Sequence, residues 1–408
     1  MLDLDFVRSQ FPALSGDWVY FDNAGGSQTL RGVADRVRDY LLSTNVQLGA
    51  SYAVSQEAGR RVTEATRAVA RAINARDEHE VVIGASTTQL LANLALAMRP
   101  QLAPGDEVIV TNCDHEANIG PWVRLGDQGV TVKTWRVDSD TLELRLDDLE
   151  ALMSERTRLV AFTHASNILG TINPVADIAR FVHERGARVC VDAVSYAPHR
   201  ALDVQASDVD FYVFSSYKVY GPHLAVLYGK REVLEGLATI NHYFVPADDV
   251  PRKLQPGSVN YELTYGLLGV IEYLEAVAAR HASEPADSLH GRVQQAFAAM
   301  AEQEDALAER LLDYLRSKPG VRIYGHDRAY GCKRVPTVSF TAAGHDPAAI
   351  ARHVDGAHIG IRYGDFYARR LIEALGLGET GGVVRVSMVH YNTLDEVDAL
   401  VRRLDEVL

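Results

Sequence analysis

The sequence predicts an α/β protein: a large domain on a mainly parallel seven-stranded sheet flanked by helices, and a smaller C-terminal α+β domain. Three observations lead there. Seven short apolar runs rich in β-branched residues alternate with longer helical patterns between residues 81 and 228. After about residue 265 the pattern turns helix-rich to about 316, and short strands then mix with helices. The 408 residues are 47% hydrophobic and 23% charged, an ordinary globular composition with length enough for one large and one smaller domain.

The runs at 81–83, 107–110, 130–136, 158–163, 188–192, 209–214 and 224–228 are too short for buried helices and read as strands. Helical patterns lie between them at about 57–76, 87–99, 145–155 and 174–186. Strand and helix in alternation give parallel pairing, with helices on both faces. In the tail, VRIYG, TVSFTA and VVRVSMV read as strands, and about 346–355, 366–375 and 394–405 as helices. The expected division is an N-terminal segment 1–20 packing on the small domain, a large domain 21–265, and a small domain 266–408 that includes a long helix.

Charge and cysteine count narrow the function. With 54 acidic against 41 basic residues the formal charge is -13, which disfavours nucleic acid as a partner but leaves room for an anionic small ligand in a local pocket. Cys113, Cys190 and Cys332 form no CxxC pair, so neither a disulfide framework nor a zinc site is expected. The first residues, MLDLDFVRSQFPAL, do not read as a signal peptide, and no run approaches the length of a membrane span. The expectation is a cytoplasmic protein with no membrane partner and no metal.

Six segments carry candidate chemistry. In VDFYVFSSYKVYGP (209–222), Lys218 follows a strand and two serines. A lysine there suits a Schiff base, because its ammonium must be desolvated to act as a nucleophile; otherwise it is a solvated surface lysine. In RVCVDAVSYAPH (188–199), Asp192 ends a strand, either facing a ligand at the sheet edge or capping a helix. In GASTTQLLAN (84–93), Ser86, Thr87 and Thr88 open a helix, as an anion site or a plain cap. His115 follows the EVIV strand and can stack on a ring, shuttle a proton, or serve the structure alone. Asn167 lies just past another strand, and Arg385, on a strand of the small domain, can clamp a carboxylate or pair at the surface.

Taken in order, these segments resemble the class V aminotransferase group of fold-type I pyridoxal phosphate enzymes, and within it the cysteine desulfurase branch. The resemblance runs from YFDNAGGSQ at 20–28 to RVSMVHYNT at 385–393. It implies that Lys218 carries pyridoxal 5'-phosphate as a Schiff base, Asp192 holds the pyridine nitrogen, and His115 stacks on the ring and assists proton transfer. It implies a phosphate site from Thr88, with Thr87 and Gln89 beside it, and Ser215. Asn167 would lie near the substrate carboxylate or the ring oxygen, and Arg385 would bind that carboxylate, with Arg362 nearby. A second copy of the chain would bring Gly257-Ser258 to the phosphate, making a homodimer with shared active sites.

Departures from the pattern bear on the reaction. In the run Arg362 to Ala368, the cysteine position of desulfurases holds Tyr367. Tyr217 stands for the histidine that precedes the lysine, where its hydroxyl can still meet phosphate, and Ser195 stands for the glutamine after the aspartate. Cys332 lies upstream in GHDRAYGCKR, a candidate loop thiol. The resemblance is thus to the subgroup without the persulfide cysteine, acting on a small-molecule amino acid. Lyase chemistry at Cβ, of C–S or sulfinate type, is expected, with Tyr367 or Tyr217 as a proton donor. The alternatives are an epimerase or aminotransferase, resembling isopenicillin-N-epimerase-like members, and a non-catalytic scaffold on the same fold.

Overall fold

Seven strands form the large sheet: β1 (Val81–Gly84), β2 (Glu107–Thr111), β3 (Thr131–Trp135), β4 (Thr157–Thr163), β5 (Arg188–Asp192), β6 (Phe211–Ser215) and β7 (Ala225–Gly229). Their order across the sheet is β1-β7-β6-β5-β4-β2-β3. All pairings are parallel except those of β7, which runs against both β1 and β6. The computed structural model from which this is read describes residues 2–329, 331 and 333–408.

The apolar runs are continuous because both faces of the sheet are covered. Val189, Val191, Tyr212, Phe214 and Val226 enter one core, while Cys190, Phe211, Val213, Ala225 and Leu227 enter the other. The seven runs read as strands from the sequence are the seven strands of this sheet, each within two residues at either end.

Helix ends depart from the sequence pattern, for local reasons. The helix expected over 57–76 is Ala53–Ala72, stopped by Asn74 in the left-handed region at φ 60°. The one expected over 366–375 begins only at Arg369, because Phe366 and Tyr367 are both left-handed, at φ 51° and 59°. Arg31–Ser43, not assigned from sequence, is a helix that buries only Val33 and Tyr40. The helix-rich stretch is two helices, Tyr261–His281 capped by Asn260 and Leu289–Arg316 capped by Ser288.

The small sheet, β8 (Val321–Tyr324), β9 (Thr337–Ala342), β10 (Arg362–Gly364) and β11 (Val383–Ser387), is antiparallel throughout in the order β10-β11-β9-β8. The N-terminal segment is tied to this part of the molecule. Val19–Tyr20 pairs with Ile359–Gly360, and Arg8 donates to the Tyr391 carbonyl and the Glu396 carboxylate. Among the described residues no helix is long and apolar enough to cross a membrane.

Candidate active site

Strands β1 to β6 all point the same way, so their C-terminal ends share one edge of the sheet, where open α/β sheets bind ligands. Lys218 closes the short turn Ser216–Lys218 after β6, Asp192 ends β5, Asn167 follows β4, His115 follows β2, and Ser86 to Thr88 follow β1. These seven positions, with Ser195, Ser215 and Tyr217, line one cleft.

At its floor, Lys218 and Asp192 are 7% and 4% exposed. Burial holds the Lys218 amine below the ordinary lysine range; Arg385 pushes the same way, and Asp192 and Asp22 oppose. Burial pushes the Asp192 carboxyl up, against the pull of the Val194 N–H and Lys218. Its Oδ1 accepts from the Val194 N–H at 2.8 Å. Among the described residues Oδ2 has no donor, and the Lys218 amine makes no hydrogen bond.

At one end of the cleft the helix Thr87–Met98 begins, with the Ser86 hydroxyl accepting from the Gln89 N–H at 3.2 Å. The Thr87 and Ser215 hydroxyls are 2.6 Å apart, and the Thr88 backbone lies in the same first turn. Free N–H groups, hydroxyls and the helix dipole make this an anion site. Tyr217 borders it, its ring stacked on His223 with centroids 4.8 Å apart. Gln89 and Ser258 lie elsewhere in this chain. Gln89 accepts from the Ala85 N–H, and both residues line a neighbouring cavity with His223 and Asn260.

His115 forms the wall. Burial, then Lys218, push its imidazole down to about 4, so it is neutral at pH 7. Its Nδ1 accepts from the Ala117 N–H at 3.1 Å, which leaves the proton on Nε2. Asp114, unnoticed in the sequence, is buried behind it. Burial raises its carboxyl to about 7, although Thr111, Asn118 and the Thr163 N–H all donate to it.

Beside the cleft lies the small sheet, whose Arg385 acts on Lys218 and His115 electrostatically. Arg385, 2% exposed, stands opposite Arg362 in the β10–β11 register, and Asp22 joins them. Asp22 Oδ1 lies 2.9 Å from Arg385 Nη2, and Oδ2 lies 3.4 Å from Arg362 Nη1. The Arg385 guanidinium also sits 3.7 Å over the Phe366 ring and donates to the Asn167 carbonyl, while its buried Nε has no partner among the described residues. Asn167 itself donates to the Phe366 carbonyl at 2.9 Å, so its amide holds a loop in this structure. Tyr367, 71% exposed, lies on that loop with its ring centroid 5.2 Å from His115. Its carbonyl accepts from the Glu116 N–H at 2.8 Å, and Glu116 pairs with Arg370.

The donor set fits pyridoxal phosphate. A desolvated amine suits the aldehyde, a buried carboxyl with an unpaired oxygen suits the pyridine nitrogen, and the hydroxyl-lined helix start suits the phosphate. Cys113 and Cys190 cannot supply a thiolate, since both are buried and burial pushes both thiols well up. Cys332 lies outside the described residues.

Comparisons with known proteins agree with this geometry. The model of the family described as aminotransferase class-V matches residues 19–400. An aminotransferase-like protein of Gibberella zeae, FGM3, is 45% identical over 99% of this chain and 98% of its own length. The cysteine desulfurase-like protein ustD of Aspergillus flavus is 35% identical over 100% of this chain and 91% of its own. The apo structure of a cysteine desulfurase from Thermococcus onnurineus superposes with a TM-score of 0.88 at 27% identity, covering 100% of this chain and 98% of that one. A chain that buries a lysine and an aspartate at the edge of such a sheet, matched by this family over nearly its whole length, belongs to the class V aminotransferases, as a pyridoxal phosphate-dependent enzyme of their cysteine desulfurase-like group.

Proposed function

We propose that the enzyme acts on an amino acid at its β carbon and expels a leaving group that the substrate itself carries, with no enzyme thiol as acceptor. The observation that carries this reading is the position of Tyr367. An exposed tyrosine sits beside His115 where the resemblance puts a cysteine, and both described cysteines are buried and protonated.

Bound at Lys218, the cofactor supplies an electron-poor ring that stabilises negative charge at the substrate α carbon. Asp192 would hold the ring nitrogen protonated, and the Thr87–Ser215 end would hold the phosphate. Arg385 orients the substrate carboxylate. With the cofactor bound, the Lys218 amine would serve as the general base that takes the Cα proton. Its lowered basicity keeps part of it neutral near neutral pH. His115 faces the site uncharged with its proton on Nε2, and Tyr367 supplies or relays a proton at the open side. A conjugate would leave Cβ with the bonding pair as the Cα proton is taken, and hydrolysis of the amino-acid remainder would give a keto acid and ammonia. A sulfinate leaves as sulfur dioxide, the pair stays on Cβ, and a proton added there and at Cα gives alanine. A second copy of the chain completes the phosphate end with Ser258, which is exposed and turned to a separate cavity in its own subunit.

The test gives the holoenzyme L-cysteine and, separately, L-cysteine sulfinate, and measures sulfide, sulfite and the carbon product. Sulfite with alanine from the sulfinate, and no sulfide from cysteine, is the expected result. Sulfide with alanine from cysteine would sink the reading and return attention to Cys332. If neither reacts, solvent deuterium appearing at Cα of an amino acid without loss at Cβ would replace it by the epimerase reading.

A further inference from the structure

Behind the lysine turn, outside the cleft, lies a fully buried polar chain. His390 is 0% exposed and touches Tyr220 and Tyr273 with its two ring nitrogens. Nδ1 is 3.1 Å from the Tyr220 hydroxyl, and Nε2 is 2.5 Å from the Tyr273 hydroxyl. Tyr220 also contacts the Pro198 carbonyl. A carbonyl can only accept, so the Tyr220 proton points at Pro198, and its oxygen must accept from His390 Nδ1–H. Burial keeps the imidazole neutral, with His199 adding to the effect. Nε2 then carries a lone pair and accepts the Tyr273 proton. Every proton is placed, and the bonds run one way, from Tyr273 through His390 and Tyr220 to Pro198.

The two ends of this chain matter for the site. Tyr220 lies two residues after Lys218, in the left-handed region at φ 62°, which a bulky side chain rarely adopts. Its N–H donates to the Ser27 hydroxyl and its carbonyl accepts from the Leu30 N–H. Pro198 lies on the segment that continues from Asp192. Buried Glu304 fixes the rest, accepting from the His390 N–H at 3.1 Å and holding His199 and Arg200. The imidazole therefore ties the turn that carries the amine, through Tyr220, to the helix Tyr261–His281, through Tyr273; the Tyr220 hydroxyl ties that turn to the segment that carries the acid, and Glu304 ties the His390 backbone and His199 to the long helix Leu289–Arg316.

We propose that His390 is a positioning residue for the cofactor lysine: through Tyr220 it sets the distance between the Lys218 amine and the Asp192 carboxyl. The inference rests on Lys218 being the cofactor-bearing lysine. It differs from a packing role because direction matters. A donor at the Nδ1 position is required, and aromatic bulk is not sufficient.

The experiment titrates the absorbance of the bound cofactor with pH in wild type, His390→Phe, His390→Asn and Tyr220→Phe, with thermal midpoints alongside. Asparagine can place a donor near Nδ1; phenylalanine keeps the ring and loses it. His390→Phe and Tyr220→Phe are expected to move the titration midpoint of the lysine–cofactor linkage by about half a pH unit or more, a roughly threefold change in proton affinity. They are expected to lower kcat about tenfold with little change in KM. His390→Asn should return the midpoint toward wild type, and the double Phe variant should be no worse than either single. An unmoved midpoint in both Phe variants, or an Asn variant as shifted as the Phe variant, would overturn the proposal. If His390→Phe does not fold, Tyr220→Phe alone decides it. Lys218→Ala serves as control. Cofactor still held covalently in that protein would defeat the reading of Lys218, whereas its loss there, beside an unmoved lysine–cofactor midpoint in the Phe variants, would defeat this inference alone.

Discussion

At the scale of single residues, the charges around Lys218 make opposite predictions that one titration can separate. A neutral amine attacks an aldehyde and an ammonium does not. The lysine is held below its ordinary value first by burial and then by Arg385, while Asp192 works against both. Below its midpoint, the rate at which apoprotein captures pyridoxal phosphate should therefore rise about tenfold per pH unit, and it should level off well below the roughly 10.4 of a free lysine. Arg385→Gln removes a repelling cation and should move that midpoint up; Asp192→Asn removes an attracting anion and should move it down. Stopped-flow capture rates against pH would show it, and two shifts of the same sign would mean that the field of these groups is not what tunes the amine. Asp22 gives a separate prediction. It occupies Arg385 at 2.9 Å, so an incoming carboxylate competes with it for the same guanidinium. Asp22→Asn is expected to tighten inhibition by small carboxylates about tenfold, near 1.4 kcal/mol. An unchanged inhibition constant would show that carboxylates bind without displacing Asp22.

At the scale of elements, what was legible in the sequence follows from what each element needs. The strands of the large sheet are covered on both faces, so each is a plain apolar run, and all seven could be read. Residues that sit just past strand ends or in the first turn of a helix could be read as site candidates too. Lys218, Asp192, His115, Asn167, Thr87 and Thr88 come together in one cleft for that reason. Asp22 could not be read that way, because its partner Arg385 is 363 residues away and only the folded chain joins them. Asp114 was hidden by its neighbour His115, since nothing in a sequence separates a buried carboxyl from a solvated one. Helix starts and stops were missed where left-handed residues decide them, and the loop before Arg369 is the case with a consequence. Phe366 is pinned beneath Arg385, but the Tyr367 ring is exposed and supports little. Tyr367→Gly removes a left-handed side chain, worth about 1–2 kcal/mol, and adds a similar backbone entropy cost. Stability by denaturant titration should hold within about 1 kcal/mol. Turnover should fall about a hundredfold if the hydroxyl moves a proton. Unchanged turnover would leave Tyr367 as a wall of the cleft.

At the scale of the whole molecule, distant stretches of chain meet behind the site. Phe11 comes from the N-terminal segment, Tyr220 from the lysine turn, Tyr273 from a helix after the large sheet, and His390 and Tyr391 from the stretch after the last strand. The Phe11 ring, 1% exposed, lies 5.7 Å from Tyr220, 5.5 Å from Tyr273 and 4.8 Å from Tyr391, centroid to centroid. Edge contacts of this kind add to the burial of the ring itself. The cluster therefore couples the segment before the first strand of the large sheet to the turn that carries Lys218, although Phe11 lines no part of the cleft. Phe11→Ala should cost about 3–5 kcal/mol, because the neighbours are rings that cannot collapse into the space. The same loss should reach the site, since Tyr220 then lacks one wall. Unfolding of the holoenzyme, followed together by far-ultraviolet circular dichroism and by cofactor absorbance, tests the coupling. In wild type the two signals should fall at one denaturant concentration. In Phe11→Ala both should fall earlier, with cofactor release leading the loss of helix. A variant that unfolds early yet keeps its cofactor until the helices melt would show that the N-terminal segment stabilises the molecule without reaching the lysine turn.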